Sequence, residues 1–314
     1  MTCSRLEGRL EFPMSIAISV PTGVSAKITG LEVWMQKVLD LVDDLRPGWD
    51  ADKVHDVRVA MRRCRTMADA LREVNPDPGW RKLKRSTKEL FHSLGGLRDA
   101  QVEQDWVRKL GMPGDAVRRR LLRALGRREK GCREAASRAL DRFDRRAWRK
   151  LERRLPEKAR FFPLESVVFQ RQALAKLNEA VALYQKARKQ GSSVAWHRTR
   201  IGVKQFRYMV ENFLPHRYEV WSTDMKAMQD LLGEVHDLDV LRVDLRRESA
   251  KLLPVDVTMW LEKIAAERKR RLGEFRLKTS GPNSPWIVWR AGFELGHALV
   301  VASIPEPRAA AYAS

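Results

Sequence analysis

The chain is poor in cysteine. Cys3, Cys64 and Cys132 are the only three in 314 residues, they lack metal-ligand spacing, and an odd count argues against a disulfide framework. A reducing compartment is therefore expected. A secretory leader is missing as well: MTCSRLEGRLEFPMS mixes charges of both signs and places a proline where a signal needs an unbroken apolar core. No export is implied, and the expected location is the cytoplasm. Long apolar runs are also absent. The strongest, PWIVWRAGFELGHALVVASI at 285–304, is interrupted by Arg290, Glu294 and His297, so it reads as a buried terminal helix and not a membrane span. Strand signals are nearly confined to one short β-branched run, SIAISV. A sheet-based fold is excluded on that ground.

Negative charge is the scarcest quantity relative to its opposite. Sixty-one Lys and Arg face 40 Asp and Glu, a formal charge of +21 that exceeds what solubility requires and points to a polyanionic partner. The excess is clumped, with a local +12 over residues 117–160. Nucleic acid, an anionic membrane surface and a non-nucleotide polyanion would each fit this charge. A hydrophobic content of 44% is enough to fill real cores, so the protein is globular.

Apolar residues recur at 3.6-residue spacing through long charged segments, which predicts an all-α protein. Helices are expected over 27–46, 51–74, 78–110, 115–155, 164–190, 193–214, 217–249, 256–276 and 285–303. Breaks fall at NPDPG, GMPG, RFFP, QGSS, the leucine-proline step at 253–254, and SGPNSP.

The chain repeats itself. HDVRVAMRRCRT at 55–66 aligns without a gap on HRTRIGVKQFRY at 197–208, pairing His55 with His197, Arg58 with Arg200, Arg62 with Lys204 and Arg65 with Arg207. In the same order, LGGLRDAQV at 94–102 pairs with LGEVHDLDV at 232–240, matching Gly95 with Gly233 and Asp99 with Asp237. Lys88 and Lys226 each lie seven residues before the glycine. Two versions of one helical unit are expected, with a boundary near 156–163. Short loops favour antiparallel neighbours, so each unit is expected to be a bundle of about four helices, over 27–158 and 159–303. Residues 1–26 form an N-terminal segment and 304–314 a tail. A pseudo-twofold relating the bundles would let both basic stripes face one groove.

The spacing His-x-x-Arg-x-x-x-Arg/Lys-x-x-Arg with a downstream Leu-Gly-x-x-x-Asp, each present twice, resembles the CHAD family, the conserved histidine α-helical domain. The resemblance covers roughly 27–303. It implies two four-helix bundles about a central basic surface that binds inorganic polyphosphate, and association with polyphosphate granules. Carried onto this chain, the ligand surface would comprise His55, Arg58, Arg62, Arg65 and Lys88, with His197, Arg200, Lys204, Arg207 and Lys226. Relatives with an attached CYTH catalytic module carry alternating glutamates; here only Glu7 and Glu11 occur in LEGRLEF, so no catalytic tunnel is expected. A second departure is that Arg98 precedes Asp99 whereas His236 precedes Asp237, which makes the two corners unequal.

The residues suit such a ligand on their own chemistry. Polyphosphate has closely spaced charges and no bases, so it needs repeated charge-assisted donors, which Arg supplies as a planar fork and Lys as a mobile point charge. Offsets of 3, 7 and 10 from each histidine fall within about 80° on a helix, a stripe about 15 Å long. Arg81, Lys84 and Lys88 form a second stripe, so the first unit is expected to be the denser in charge. His55 and His197 are read as ligand contacts, against the blander alternative of ordering their helix starts. Asp99 and Asp237 would repel phosphate and are expected to brace arginines. On the run from Arg118 to Arg154, Arg119, Arg123 and Lys130 cluster within about 40° and could widen the surface. Tyr208 and His236 are further candidates beside the stripes.

Two competing functions also have a basis in the sequence. His55-Asp56 and His236-Asp237 spell the dipeptide of metal phosphohydrolases, but consecutive helical residues diverge by about 100° and the arginines would oppose a dication. No metal, cofactor or catalytic residue is therefore expected. Nucleic-acid binding is the stronger alternative, since the charge would serve it, and a weak non-specific affinity is expected. Single-strand binders interleave aromatics with cations, whereas here Phe206 points to the core and Trp34, Trp80, Trp148, Trp260 and Trp289 are expected to fill helical cores.

Overall fold

The structure, a computed structural model, describes residues 30–45 and 49–302, with side chains to residue 294. The described residues are helical and contain no strand; the SIAISV run lies outside them. The helices are α1 (Leu31–Asp44), α2 (Ala51–Val74), α3 (Pro78–Ser86), α4 (Lys88–Leu110), α5 (Ala116–Asp141), α6 (Arg145–Ala159), α7 (Val167–Gln190), α8 (Ser193–Phe213), α9 (Pro215–Glu248), α10 (Pro254–Lys278) and α11 (Pro285–Ala302), with a 3₁₀ turn at Ser249–Lys251 after α9. None is long and apolar enough to cross a membrane.

Local chemistry sets the ends. Asp50 and Ser192 cap α2 and α8 by accepting from Asp52 N at 2.9 Å and Ala195 N at 3.2 Å. Gly191 ends α7 at φ 65°, the left-handed conformation that favours glycine.

Two expected helices are each two. The segment 78–110 breaks at Thr87, where the half-buried Arg65 guanidinium donates to Lys84 O at 2.6 Å and Thr87 Oγ1 at 3.0 Å. The segment 115–155 breaks at Arg142–Asp144: Phe143 turns in against Trp148, ring centres 5.7 Å apart, and Asp144 caps α6 through Ala147 N at 2.9 Å. Segment 217–249 instead starts at Pro215 and runs as one 34-residue helix, α9.

The helices pack as two long hairpins, α4 on α5 and α9 on α10, over a layer in which α1 and α3 flank α2 while α7 and α9 flank α8. Helix α2 packs on α8, α4 on α9, and α5 on both α9 and α10. The main core is continuous from Met61 and Ala68 of α2 to Phe206 and Val210 of α8, all buried. Trp80, Trp148 and Trp289 fill it, and Trp34 packs at its margin. A second core joins the hairpin tips, with Trp106, Val107, Leu121 and Leu125 against Leu238, Leu241, Trp260 and Ile264. Gly111 permits this junction, because a Cβ there would come within 2.5 Å of the Trp260 ring, whose Nε1 donates to Asp115 at 2.8 Å. At about 25 cal/mol per Å² of apolar surface removed from water, such junctions hold the hairpins in register.

Candidate anion-binding site

The packing of α2 on α8 brings the two stripes face to face. Arg62 of α2 lies over the ring of Tyr208 of α8, 4.6 Å from its centre, so the ring is a buried floor for the cation and not an exposed stacking platform. Around this contact Arg58 and Arg62 of α2 and Arg200 of α8 lie within electrostatic reach of Lys204. None of these four cations forms an ion pair among the described residues. Arg62 and Arg200 each bury an Nε with no hydrogen-bond partner. Burial lowers the Lys204 ammonium to a pKa of about 8, with further lowering from Arg200, Arg62 and Arg58 and partial relief from Asp99.

Arg58 is the one member of the four that is tied down. Its Nη1 donates to Phe91 O of α4 at 3.2 Å, and its guanidinium lies 5.2 Å from the Phe91 ring centre. The glycine of the Leu-Gly element makes that approach possible, since a Cβ on Gly95 would come within 2.8 Å of Arg58 Nη1. A Cβ on the matching Gly233 would meet nothing within 4 Å.

The histidines differ in partner. His197 Nδ1 is 3.2 Å from His236 Nδ1 of α9, so one ring donates and the other accepts. Burial, Arg200 and His197 press His236 down to a pKa of about 4, and burial with Arg200 and Lys204 lowers His197. Burial and the neighbouring cations thus favour the neutral form of both rings. His55 is exposed, and its pKa is lowered by partial burial and by Arg98, Arg62 and Arg58. Arg98, placed on α4 where α9 has His236, is a half-buried cation without an ion pair among the described residues; the sequence marks it as a difference between the two corners but not as a ligand candidate. The mismatch between LGGLRD and LGEVHD was its signal.

The third basic position of each stripe turns inward. Arg65 holds the α3–α4 break, as described, and Arg207 approaches Tyr218 Oη at 3.3 Å and Glu211 at 3.8 Å. Glu211 also pairs with Arg63, which ties α2 to α8. Lys84 is paired with Asp69 at 2.6 Å. Arg81, Lys88 and Lys226 are exposed and unpaired among the described residues. On the α4–α5 hairpin, Arg128 stands opposite Glu103 and Cys132 opposite Gly96, which puts Arg119 and Arg123 about 15–20 Å farther along than Gly95. Lys130 is exposed on the same helix, nearer the site.

Among the described residues Asp99 and Asp237 form no ion pair with a neighbouring arginine, so the expected bracing does not take that form. Asp237 is raised to about 6 by burial, with Asp99 and Glu234 adding and Arg200 and Lys204 opposing. The residue that braces is Asp239, one apolar residue farther on. It accepts from Arg268 at 2.9 and 3.1 Å and from Ser193 Oγ at 2.9 Å, and it lies 3.4 Å from Arg242. No group of three or more His, Cys, Asp or Glu among the described residues is placed to hold a metal ion.

An all-helical scaffold that gathers unpaired cations at a helix–helix junction defines a class of anion-binding candidates. The chain belongs to the CHAD domain family, whose model matches residues 34–246. Its fold is similar to the crystal structure of the CHAD domain from the plant Ricinus communis, with a TM-score of 0.58 and 23% identity over 84% of this chain and 89% of that one. It is also similar to PptA from Streptomyces chartreusis, with a TM-score of 0.57 and 14% identity over 79% of this chain and 94% of that one. No curated protein matches the chain.

Proposed function

We propose that the protein binds inorganic polyphosphate, without acting on it chemically, in a groove centred on Arg58, Arg62, Arg200 and Lys204. The observation that carries this reading is the convergence of four cations with no carboxylate at ion-pairing distance. Protein interiors normally pair such groups, because an unpaired charge taken from water costs several kcal/mol. A polyanion supplies the missing partners. A flexible chain of phosphates, each able to accept from a different donor, fits cations presented by two helices better than a base-bearing polymer that needs stacking surfaces.

The reading includes the duplication. The contacts α2 with α8 and α4 with α9 fall between elements carrying matching motifs, as a pseudo-twofold would require, and Arg81, Lys88, Lys226 and Arg98 extend the groove. Binding of this kind would recruit the protein to polyphosphate granules in the cytoplasm. Competition among long-chain polyphosphate, RNA, DNA and ATP at physiological salt tests it. Polyphosphate is expected to bind tightest; tighter binding of RNA overturns the assignment in favour of a nucleic-acid partner. Phosphate release in Mg²⁺ or Mn²⁺ that depends on His55 or His236 would overturn the non-enzymatic part.

A further inference from the structure

A cavity of about 400 Å³ lies between α7 and the start of α11. None of its residues belongs to the duplicated motifs, and its α11 wall lies beyond the residues that the family model matches. The two helices run antiparallel here. Arg290 of α11 donates to Asn178 Oδ1 of α7 at 2.9 Å, while Trp286, one turn earlier on α11, lies against Tyr184, farther along α7, with ring centres 5.8 Å apart. That register sets Arg188, one turn past Tyr184, beside the N-terminus of α11. Arg188 is exposed and has no ion-pair partner among the described residues. The helix end beside it is open. Ser284 holds the capping position before Pro285 and is only 4% exposed, yet its hydroxyl makes no hydrogen bond among the described residues, where a serine normally accepts from the first turn. The backbone N–H of Trp286 is equally free, and its indole Nε1 is buried without an acceptor. Such an end, with its free donors and positive dipole, favours an anion. Beyond it the wall is apolar, passing over Val181, Ile287 and Ala291 for about 10 Å of helix. Tyr184 adds only its ring, since its hydroxyl is engaged by Thr279 Oγ1 at 2.9 Å.

We propose that this cavity binds a small monocarboxylate with an apolar body, of the size of a medium-chain fatty acid. The carboxylate accepts from Arg188, the Ser284 hydroxyl and the Trp286 N–H at the α11 N-terminus, and the hydrocarbon covers Val181, Ile287 and Ala291. Ile287, 53% exposed, is the apolar side chain with most to gain from that cover. Glu294, the one carboxylate lining the cavity, stands at the opposite end, about 15 Å of helix from Ser284. It opposes the reversed orientation and a second acidic group on the ligand. A polyphosphate chain would find cations only at the rim and an apolar wall between them, so the site is distinct in chemistry from the groove and does not depend on the assignment made there.

Titration calorimetry of the full chain with octanoate, acetate, octanol and inorganic phosphate tests this, with the indole N–H resonance of Trp286, assigned through Trp286→Phe, as the local readout. Octanoate is expected to bind at least about tenfold tighter than acetate and phosphate, which lack the body, and than octanol, which lacks the charge, and to shift the Trp286 resonance. Two substitutions at exposed positions separate the ends of the ligand. Arg188→Gln should weaken octanoate about tenfold, and Ile287→Glu, which sets a carboxylate against the hydrocarbon, at least as much. Polyphosphate affinity should stay within about twofold in both variants. Equal binding of octanol or phosphate, or octanoate affinity unchanged in both variants, overturns the proposal. Displacement of octanoate by long-chain polyphosphate also overturns it, by making the cavity part of the polyanion surface.

Discussion

The corner around His55 and the corner around His197 carry the same motif and treat it differently. In the first, Arg58 is fastened to Phe91 O of α4, a glycine makes room for it, and Arg98 adds another cation. In the second, Arg200 has no ion-pair partner, the space over Gly233 is open, and His197 pairs with a neutral His236. A motif on one helix therefore does not define a site. The facing position of the next helix decides whether a cation is structural, poised for ligand, or replaced by an imidazole pair.

The largest way to break that comparison is charge reversal. Arg200→Glu should weaken polyphosphate binding by about 2–4 kcal/mol, on the order of 30- to 1,000-fold, with little loss of thermal stability, because it removes repulsion among Arg200, Lys204, Arg62 and Arg58. Arg58→Glu should lose affinity and stability together. Titration calorimetry and thermal unfolding of both variants measure the contrast.

Arg65→Ala should do the opposite. It removes the two guanidinium hydrogen bonds to Lys84 O and Thr87 Oγ1 and the packing of Arg65 on Phe91 at the α3–α4 break, leaving only the Thr87 hydroxyl to serve that carbonyl, at a cost of about 1–3 kcal/mol, or several degrees in melting temperature. Polyphosphate affinity should change by less than about threefold, near 0.65 kcal/mol. A variant that unfolds normally but no longer binds would place Arg65 in the ligand surface.

Acidity distinguishes the corners next. The folded pKa of His236 lies below its unfolded value, so between pH 6.5 and about 4 this group makes stability fall as pH falls, while Asp237, raised to about 6, acts in the opposite sense over the lower part of that window. His236→Gln should flatten that limb of the pH–stability curve, and Arg98→Gln should leave it in place. At the other end, Lys204 takes up its proton more readily once a polyanion is bound. Affinity should therefore be level below pH 8 and decline above it, and Lys204→Arg should remove the decline. An unchanged alkaline limb in that variant would exclude Lys204 as its cause.

The smallest contrast lies in the glycines. Gly233→Ala, in open space on a helix, should be neutral or stabilising by up to about 1 kcal/mol. Gly95→Ala should push the Arg58 guanidinium off α4 and lower both affinity and melting temperature.

Much of this was legible in the sequence because helical periodicity and turn residues act locally. The ends at GMPG, QGSS and SGPNSP, the core tryptophans and the inward Phe206 all follow from spacing alone. The break at Thr87 does not, since it is enforced by Arg65 from a different helix and no proline or glycine marks it. The break at Asp144 carried a capping signal, but basic periodicity runs straight through it. The stripes were visible, yet a stripe about 80° wide has two edges. Arg58 and Arg65 lie on the edge that meets α4, while Arg62 faces Tyr208, and only tertiary packing shows that division. Bracing fell to Asp239 and not to Asp237 for the same reason: α9 turns Asp239 toward Arg268 of α10.

The central claim is that the four unpaired cations at the α2–α8 junction are the polyanion site. The most direct measurement is the affinity of long-chain polyphosphate at physiological salt for the R58A/R62A/R200A/K204A variant, beside an R119A/R123A variant with both charges removed at the far end of the α4–α5 hairpin. The account predicts a loss of at least about 100-fold, some 2.7 kcal/mol, in the first and less than about threefold in the second. Unchanged affinity in a folded quadruple variant, or an equal loss in both, would contradict it.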